Sequence, residues 1–224
     1  MAYALMTSGG KDSILALDRA RREGLPVECL VNIYDGSSGR VPFHGVRREL
    51  IGQQAQDLGL DLIQRHTGPD DFEGVFRTAL TQLKERGMVG VVFGNIRLTE
   101  VREWYEERVV AAGLEHVEPI WGEPPIELLW EVVERGYQAI VTSVDLSRTA
   151  VEFLGRELDA DLVTEMGVTD DFDPCGEAGE YHTFVYDGPE FQQGVRFELG
   201  DTLELQGHRF IDLLPTADLR VSDG

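Results

Sequence analysis

Residues 8–13 read SGGKDS, which sets two glycines, two hydroxyls, a lysine and a carboxylate side by side. Glycine lets the backbone bend where a side chain would obstruct it, and a lysine at the head of a helix adds a full charge to the partial one already there. Backbone N–H groups at Gly9 and Gly10, the hydroxyls of Ser8 and Ser13 and the ammonium of Lys11 together suit the oxygens of a phosphate chain. Asp12 could orient a divalent ion or the loop itself. A second concentration is DPCGEAGEYHT at 173–183, with Asp173, Cys175, Glu177, Glu180, His182 and Thr183 set between Gly176 and Gly179. Carboxylates there could orient or deprotonate an amine or bind a cation, His182 could pass a proton, and Thr183 could hold a phosphate or carboxylate oxygen. The plainer reading of each is hydrogen bonding within a shaped loop. One cysteine and one nearby histidine lack the spacing of a structural zinc site. Cys175 would become a nucleophile only if a cation lowered its thiol, and a small buried loop residue is the simpler account.

The phosphate-binding candidate needs a strand to deliver it and a helix to receive it. YALMT at 3–7 is a short apolar run, and KDSILALDRARREG follows with Ile14, Leu15 and Leu17 opening an apolar face that Gly24 and Pro26 stop. VECLVNI at 27–33 reads as a buried strand. The spacing of Val46, Leu50, Ile51, Ala55 and Leu58 predicts a helix over 44–60, with a strand at 61–65. Phe72, Phe76, Leu80 and Leu83 stripe a further helix, and MVGVVFG at 88–94 is a strand covered on both faces. Val101, Trp104, Tyr105, Val109 and Ala112 form one stripe over 99–113. Strands alternating with helices in this way predict a parallel α/β sheet and a Rossmann-like lobe. Pro119, Gly122, Pro124 and Pro125 punctuate the chain, dividing it into domains at 1–122 and 123–224. The second, smaller lobe reads as α/β too: a helix at 125–136, a strand at 137–144 and a helix at 147–158. From Tyr181 onward antiparallel strands are joined by turns at Asp187-Gly188, Gly200-Asp201 and Gly207-His208. Residues 220–224 read as a loose end.

Composition narrows the partners. The 224 residues carry 41 Asp+Glu against 20 Lys+Arg, a formal net charge of −21, and only Lys11 and Lys84 are lysines. Such a field repels bare phosphate backbones, so a stable nucleic-acid partner and an anionic membrane surface are disfavoured. Two distant cysteines, no secretory leader and no long apolar run fit a cytoplasmic protein. A homodimer stays open.

SGGKDS directly after the first strand resembles the PP-loop of ATP pyrophosphatases, and it matches neither GxxxxGK[ST] nor GxGxxG. Further segments narrow the resemblance to the diphthine–ammonia ligase family: residues 43–60, 93–114, EPIWG at 118–122, FLGREL at 153–158 and above all DPCGEAGEYHTFVYDGPEF at 173–191. The resemblance implies a PP-loop ATPase lobe whose Ser8, Gly9, Gly10, Lys11, Asp12, Ser13, His44 and Gly94 bind ATP, with Asp12 toward Mg2+. It also implies a C-terminal lobe that completes a cleft for a modified histidine of elongation factor 2, which has a cationic part. Ammonia is then the second substrate, with Lys11, Asn95, Glu177, Glu180 and His182 as catalytic candidates. Asn95 departs from the family's frequent Asp: it keeps hydrogen bonding but loses a charge. Arg97 and Arg102 are candidates for phosphate or carboxylate contacts, with surface pairing as the alternative. His66, His116 and His208 read as helix-edge, strand-edge and turn residues outside any convergent pattern. The implied reaction adenylates diphthine and releases AMP and pyrophosphate. Other readings are an adenylating or sulfur-transfer enzyme acting on another substrate, or a nucleotide-binding module without turnover.

Overall fold

A computed structural model describes residues 1–148, 151–169, 172–205 and 207–216. Its first half alternates strand and helix: β1 (Ala2–Met6), α1 (Lys11–Arg22), β2 (Val27–Asp35), α2 (Arg48–Asp57), β3 (Asp61–Thr67), α3 (Phe72–Glu85), β4 (Met88–Val92), α4 (Thr99–Ala111) and β5 (Glu115–Val117). The strands form a five-stranded sheet in the order β3-β2-β1-β4-β5, every pair parallel. This is the Rossmann-like α/β arrangement, and its strand order reverses between β1 and β4, where a crevice opens beyond the strand ends. The SGGKDS loop follows β1 and Asn95 follows β4, so the topology alone brings these two distant segments to one edge.

The second half supplies α5 (Pro125–Glu134), β6 (Gln138–Asp145), α6 (Ala160–Gly167), β7 (Tyr181–Asp187), β8 (Phe197–Leu205) and β9 (His208–Pro215). Its sheet has four strands in the order β7-β6-β9-β8, all antiparallel. Helix α1 belongs to both halves. Ile14, Leu15, Leu17 and Ala20 share one buried cluster with Leu5 of β1, Leu128 and Val132 of α5, Val141 and Val144 of β6, and Val185 of β7. A helix with apolar neighbours on more than one side is a core helix rather than a surface one. Its carboxylate Asp18, fully buried, accepts from Arg135 Nη2 at 2.6 Å, Arg22 Nη1 at 3.1 Å and Tyr137 Oη at 3.2 Å. Burial pushes the Asp18 carboxyl up, but these donors outweigh it and hold it below the usual range.

Five sequence expectations change. The described part of 147–158 is no α-helix: it holds a 3-10 turn at Val151–Phe153, and then the chain runs beside β6, with Gly155 N–H donating to Val141 O and Leu158 N–H to Ala139 O. Gly155 at φ +77° and that strand-edge pairing draw the segment out of a helix. A helix forms at Ala160–Gly167 instead, its N-terminus capped by Asp159, whose Oδ1 accepts from Leu162 N–H at 2.8 Å. Gly200-Asp201 is a bulge inside one continuous β8, which shifts register on β9 between Leu199 and Thr202. Asp187-Gly188 opens a long loop rather than a hairpin, because β7 pairs with β6 and not with β8. Helix α2 starts only at Arg48, leaving Phe43 and Gly45 in a loop at φ +63° and +69°, and Val101 is 37% exposed, off the buried stripe of α4. Residues 220–224 lie outside the described residues.

Candidate active site

The loop after β1 is braced by its own hydroxyls. Gly9 N–H donates to Thr7 Oγ1 at 2.9 Å, Ser13 Oγ donates to Gly10 O at 2.9 Å, and Gly10 N–H reaches Ser8 Oγ at 3.4 Å. Gly9 sits at φ +82°, and a Cβ there would come within 2.5 Å of Ile51 Cδ1. At Gly94 a Cβ would stand 2.7 Å from the Asp12 carbonyl oxygen and 2.8 Å from Ser13 N, so the end of β4 lies directly on the first turn of α1. Asp12 and Ser13 occupy that turn, where N–H groups have no carbonyl within the helix.

The second sheet closes the loop from the other side. Val185 N–H of β7 donates to Gly9 O at 2.9 Å, and Lys11 N–H donates to Thr183 Oγ1 at 3.1 Å. The amide of buried Gln54 on α2 joins them, donating to Gly9 O at 3.1 Å and Val185 O at 2.7 Å. Lys11 itself is 2% exposed. Its Nζ donates to Cys175 O at 2.5 Å and to Asp12 Oδ2 at 3.1 Å, and stands 4.8 Å from the centre of the Tyr181 ring. Burial works to lower this ammonium's pKa, yet Asp12 and the neighbouring groups hold it above the ordinary value. The lysine is therefore charged, with Asp12, the Cys175 carbonyl and the Tyr181 side chain gathered around its ammonium. Asp12, about one-third exposed at 34%, has its carboxyl raised by burial, with Lys11 opposing.

Residues 173–183 form the wall behind Lys11. Asp173 accepts from Cys175 N–H and Glu177 N–H, both at 3.1 Å, and from Arg97 Nη2 at 2.6 Å. Glu177 Oε1 accepts from the N–H groups of Ile96 at 2.7 Å and Arg97 at 2.9 Å, so its carboxylate staples this loop to the turn that leads into α4. Glu180 is buried, with Oε1 4.0 Å from Arg148 Nη1. Cys175 is buried, and its Sγ donates to Pro125 O at 3.2 Å. Burial pushes its thiol up despite the charge of Lys11.

His44 and His182 meet on the β2 side of the loop, with ring centres 4.3 Å apart. His44 Nδ1 lies 3.2 Å from Thr183 O; a carbonyl only accepts, so Nδ1 bears the proton and Nε2 keeps its lone pair. Burial pushes His44 down to about 4, against its hydrogen bond to Thr183, and the charge of Lys11 adds to the fall. His182 is driven well below its ordinary value by burial and then by His44 and Lys11. On the β4 side, Asn95 Nδ2 donates to Glu118 Oε1 at 2.7 Å, leaving its Oδ1 without a hydrogen bond among the described residues. Glu118 is 2% exposed at its side chain, 3.1 Å from Arg102 Nε and 3.3 Å from His116 Nε2.

Two family models cover this architecture: the diphthamide synthase N-terminal domain matches residues 1–116, and the diphthamide synthase C-terminal domain matches residues 124–209. This chain belongs to the diphthamide synthase family. Among its relatives, a diphthine–ammonia ligase of Bos taurus is 25% identical over 98% of this chain and 90% of its own length. A diphthine–ammonia ligase of Homo sapiens is 24% identical over the same 98% and 90%. One of Schizosaccharomyces pombe is 28% identical over 85% of this chain, which spans 35% of that longer protein. As a member of the diphthamide synthase family the chain is an enzyme, an ATP-dependent carbon–nitrogen ligase.

Within this diphthamide synthase fold, the expected nucleotide residues Ser8, Gly9, Gly10, Lys11, Asp12, Ser13, His44 and Gly94 gather at one edge of the first sheet. Asn95 and His182 flank them on opposite sides. Glu177 lies against the 96–98 backbone, and Arg97 and Arg102 both pair with carboxylates of the protein. His66 falls inside β3 rather than at a helix edge, and His116 within β5. Thr7, Gln54, Glu118 and Tyr181 were not singled out from sequence. Only Glu118 and Tyr181 had a local signal, lying within EPIWG and GEYHT; Gln54 looked like one more polar residue on a helix. Among the described residues no group of three or more His, Cys, Asp and Glu side chains is arranged to hold a metal, and no helix is long and apolar enough to cross a membrane.

Proposed function

We propose that the chain adenylates the carboxylate of diphthine on elongation factor 2 and passes the acyl group to ammonia, giving diphthamide, AMP and pyrophosphate. In this reading residues 1–122 bind ATP and residues 123–224 complete the substrate side. The observation that carries it is Lys11, charged and buried beside Asp12 at the switch point of a chain matched along its length by diphthine–ammonia ligases.

A carboxylate oxygen attacks the α-phosphorus, the bond from that phosphorus to the bridging oxygen breaks, and pyrophosphate departs. Lys11 and the first-turn N–H groups of α1 offset the charge that gathers on the leaving oxygens, a task fixed donors perform with little reorganisation. Asp12 suits a magnesium ion that arrives with the nucleotide, since Mg2+ keeps its waters and takes one or two carboxylates besides phosphate oxygens. Bound there, Mg2+ would supply further neutralisation of the phosphates. The ammonia nitrogen then attacks the acyl carbon and AMP leaves. Asn95 Oδ1, left without a partner when Nδ2 bonds Glu118, accepts an N–H of the nucleophile, and His182, kept neutral by burial, lies across the loop beside His44. Glu180 helps position the amine, and Glu177 holds the wall.

Purified protein with ATP, magnesium, ammonium and the diphthine-bearing factor is expected to yield AMP, pyrophosphate and amidated histidine in equal amounts. ADP formation, or ATP loss independent of the acceptor, sinks this assignment. Sulfur transfer is disfavoured by the buried, raised thiol of Cys175. A module without turnover would bind ATP and release no pyrophosphate under any acceptor.

A further inference from the structure

Asn95 and Glu118 meet in a frame that fixes them both. Phe93 N–H donates to Val117 O at 2.8 Å and Gly122 N–H to Ile96 O at 2.7 Å, so the segments that follow β4 and β5 are tied together on either side of the pair. The side chains of Glu118 and His116 are buried, 2% and 3% exposed. Arg102 Nε stands 3.1 Å from Glu118 Oε2, and His116 Nε2 stands 3.3 Å from Oε1. Those two neighbours are themselves packed, the Arg102 guanidinium 4.7 Å over the Trp121 ring and the His116 ring 4.8 Å from that of Phe93. Asn95 is the half-buried member, at the edge of the crevice beyond β4. The two ends of an Asn side chain have the same shape and opposite hydrogen-bonding character. A carboxylate only accepts, so the 2.7 Å contact with Glu118 Oε1 is made by Nδ2, and the amide end left over is the acceptor Oδ1.

We propose that Glu118 is a positioning residue that selects ammonia over water as the nucleophile, by deciding which end of the Asn95 amide is left free. Ammonia has a single lone pair. An acceptor at Oδ1 takes one of its N–H groups and leaves that pair for the acyl carbon, whereas an NH2 group in the same place would take the pair itself. Water has two lone pairs, so an NH2 group there holds one and leaves the other to attack. With Oδ1 free, the nitrogen bonds the acyl carbon, the bond from that carbon to the AMP oxygen breaks, and the nitrogen sheds a proton. With Nδ2 free, a water oxygen makes the same attack, AMP leaves, the protons go to solvent and the starting carboxylate returns with ATP consumed. This role rests on the ligase reading for the acyl-adenylate, and goes beyond it in naming what keeps that intermediate from hydrolysis.

The test is Glu118→Gln in the full chain, with ATP, magnesium, ammonium and the diphthine-bearing factor. Arg102 Nε is a donor and draws the new carbonyl oxygen, so the new NH2 group faces Asn95 and takes Oδ1. Pyrophosphate release then continues while the amide formed per pyrophosphate falls about tenfold, the loss of one hydrogen bond in a transition state. KM for ammonium rises by a similar factor and KM for ATP holds. Asn95→Asp combined with Glu118→Gln returns an accepting oxygen and restores the ratio. An unchanged ratio in Glu118→Gln overturns the proposal, as does a fall of amide and pyrophosphate in equal proportion, which is what a merely weakened fold produces. A double variant that stays uncoupled overturns it too. A measurement without turnover decides the matter if Glu118→Gln does not fold: in the unaltered chain the Asn95 side-chain NH2 protons, held by a buried carboxylate, exchange with solvent about tenfold more slowly than those of exposed Gln193, and equal rates defeat the idea. If the unaltered chain amidates nothing, the ligase reading falls and takes this role with it. If it amidates and Glu118→Gln stays coupled, the positioning role alone falls.

Discussion

The loops at 8–13 and 173–183 are made of the same materials, glycine, small polar groups and charge, and they dispose of them in opposite ways. In the first, glycines and hydroxyls satisfy one another around a charged lysine, and the N–H groups of Asp12 and Ser13 in the first turn of α1 have no carbonyl within the helix. In the second, Asp173 and Glu177 turn their carboxylates back onto the N–H groups of residues 96, 97, 175 and 177. A buried carboxylate must find donors, and in a glycine-bearing loop the nearest donors are backbone. In the proposed reading one loop handles the nucleotide and the other keeps that loop in place, a division of labour that composition does not reveal.

The sharpest way to break this contrast is Lys11→Met. It preserves much of the volume and deletes the charge, so pyrophosphate release should fall by about 10²–10³-fold, the usual loss when one fixed electrostatic donor is removed. Stability should fall as well, by up to about 3–5 kcal/mol, because Asp12 Oδ2 and Cys175 O lose the ammonium they share, so turnover is compared where circular dichroism shows the variant folded. Turnover that survives would leave the first loop as inert as an ordinary turn.

Glu177 tests the other side. Glu177→Ala strands the N–H groups of Ile96 and Arg97 and should cost about 1–3 kcal/mol. That corresponds to roughly 2–4 °C of melting temperature per kcal/mol for a chain of this size. Glu177→Gln, which keeps one accepting oxygen, should fall between. A Gln variant that melts normally yet makes no product would show the carboxylate acting on substrate, and the contrast would collapse.

Position 95 asks whether the wall extends to β5. Asn95→Asp sets a carboxylate against Glu118 at the 2.7 Å now spanned by a hydrogen bond, so turnover should drop about tenfold. Adding Glu118→Gln should recover most of it, a coupling of about 1–3 kcal/mol between touching residues. Equal losses in the single and double variants would remove Glu118 from any positioning role.

Acid separates the groups further. His44 is held near 4 in the fold, against about 6.5 when unfolded, so the unfolded chain binds the extra proton between those values. Stability therefore declines by about 1–3 kcal/mol as pH falls from roughly 6.5 to 4, and levels off beneath that for this group. His44→Gln should flatten that segment in chemical denaturation. Asp18 and Asp212 have depressed carboxyls, Asp212 through its bonds to Arg47 and Arg40, so the stability they give is present above about 4 and is lost only as pH falls further.

The first half of the chain was legible because each element carries its own evidence: apolar runs for strands, Phe72, Phe76, Leu80 and Leu83 for α3, glycines at the loop after β1. The second half was less so. The described part of 147–158 has helical composition but ends alongside β6, and α6 starts only behind its Asp159 cap. In the site, Lys11 could be read from its neighbours in sequence. Thr183 was legible as a polar contact but not as the acceptor for the Lys11 N–H 172 positions away, and Gln54 could not be read at all, since it matters through a partner 45 positions away.

The smallest effect belongs to Cys175, and it is informative for being small. Lys11 is held by the carbonyl oxygen of Cys175, not by its sulfur, while Sγ donates to Pro125 O. Cys175→Ser keeps both the backbone acceptor and a side-chain donor, so turnover should stay within about twofold and stability within about 1 kcal/mol. A tenfold fall in product without loss of stability would mean that the thiol takes part in the reaction. The wall would then be chemical rather than supporting, and the opposition between the two loops would have to be redrawn around sulfur.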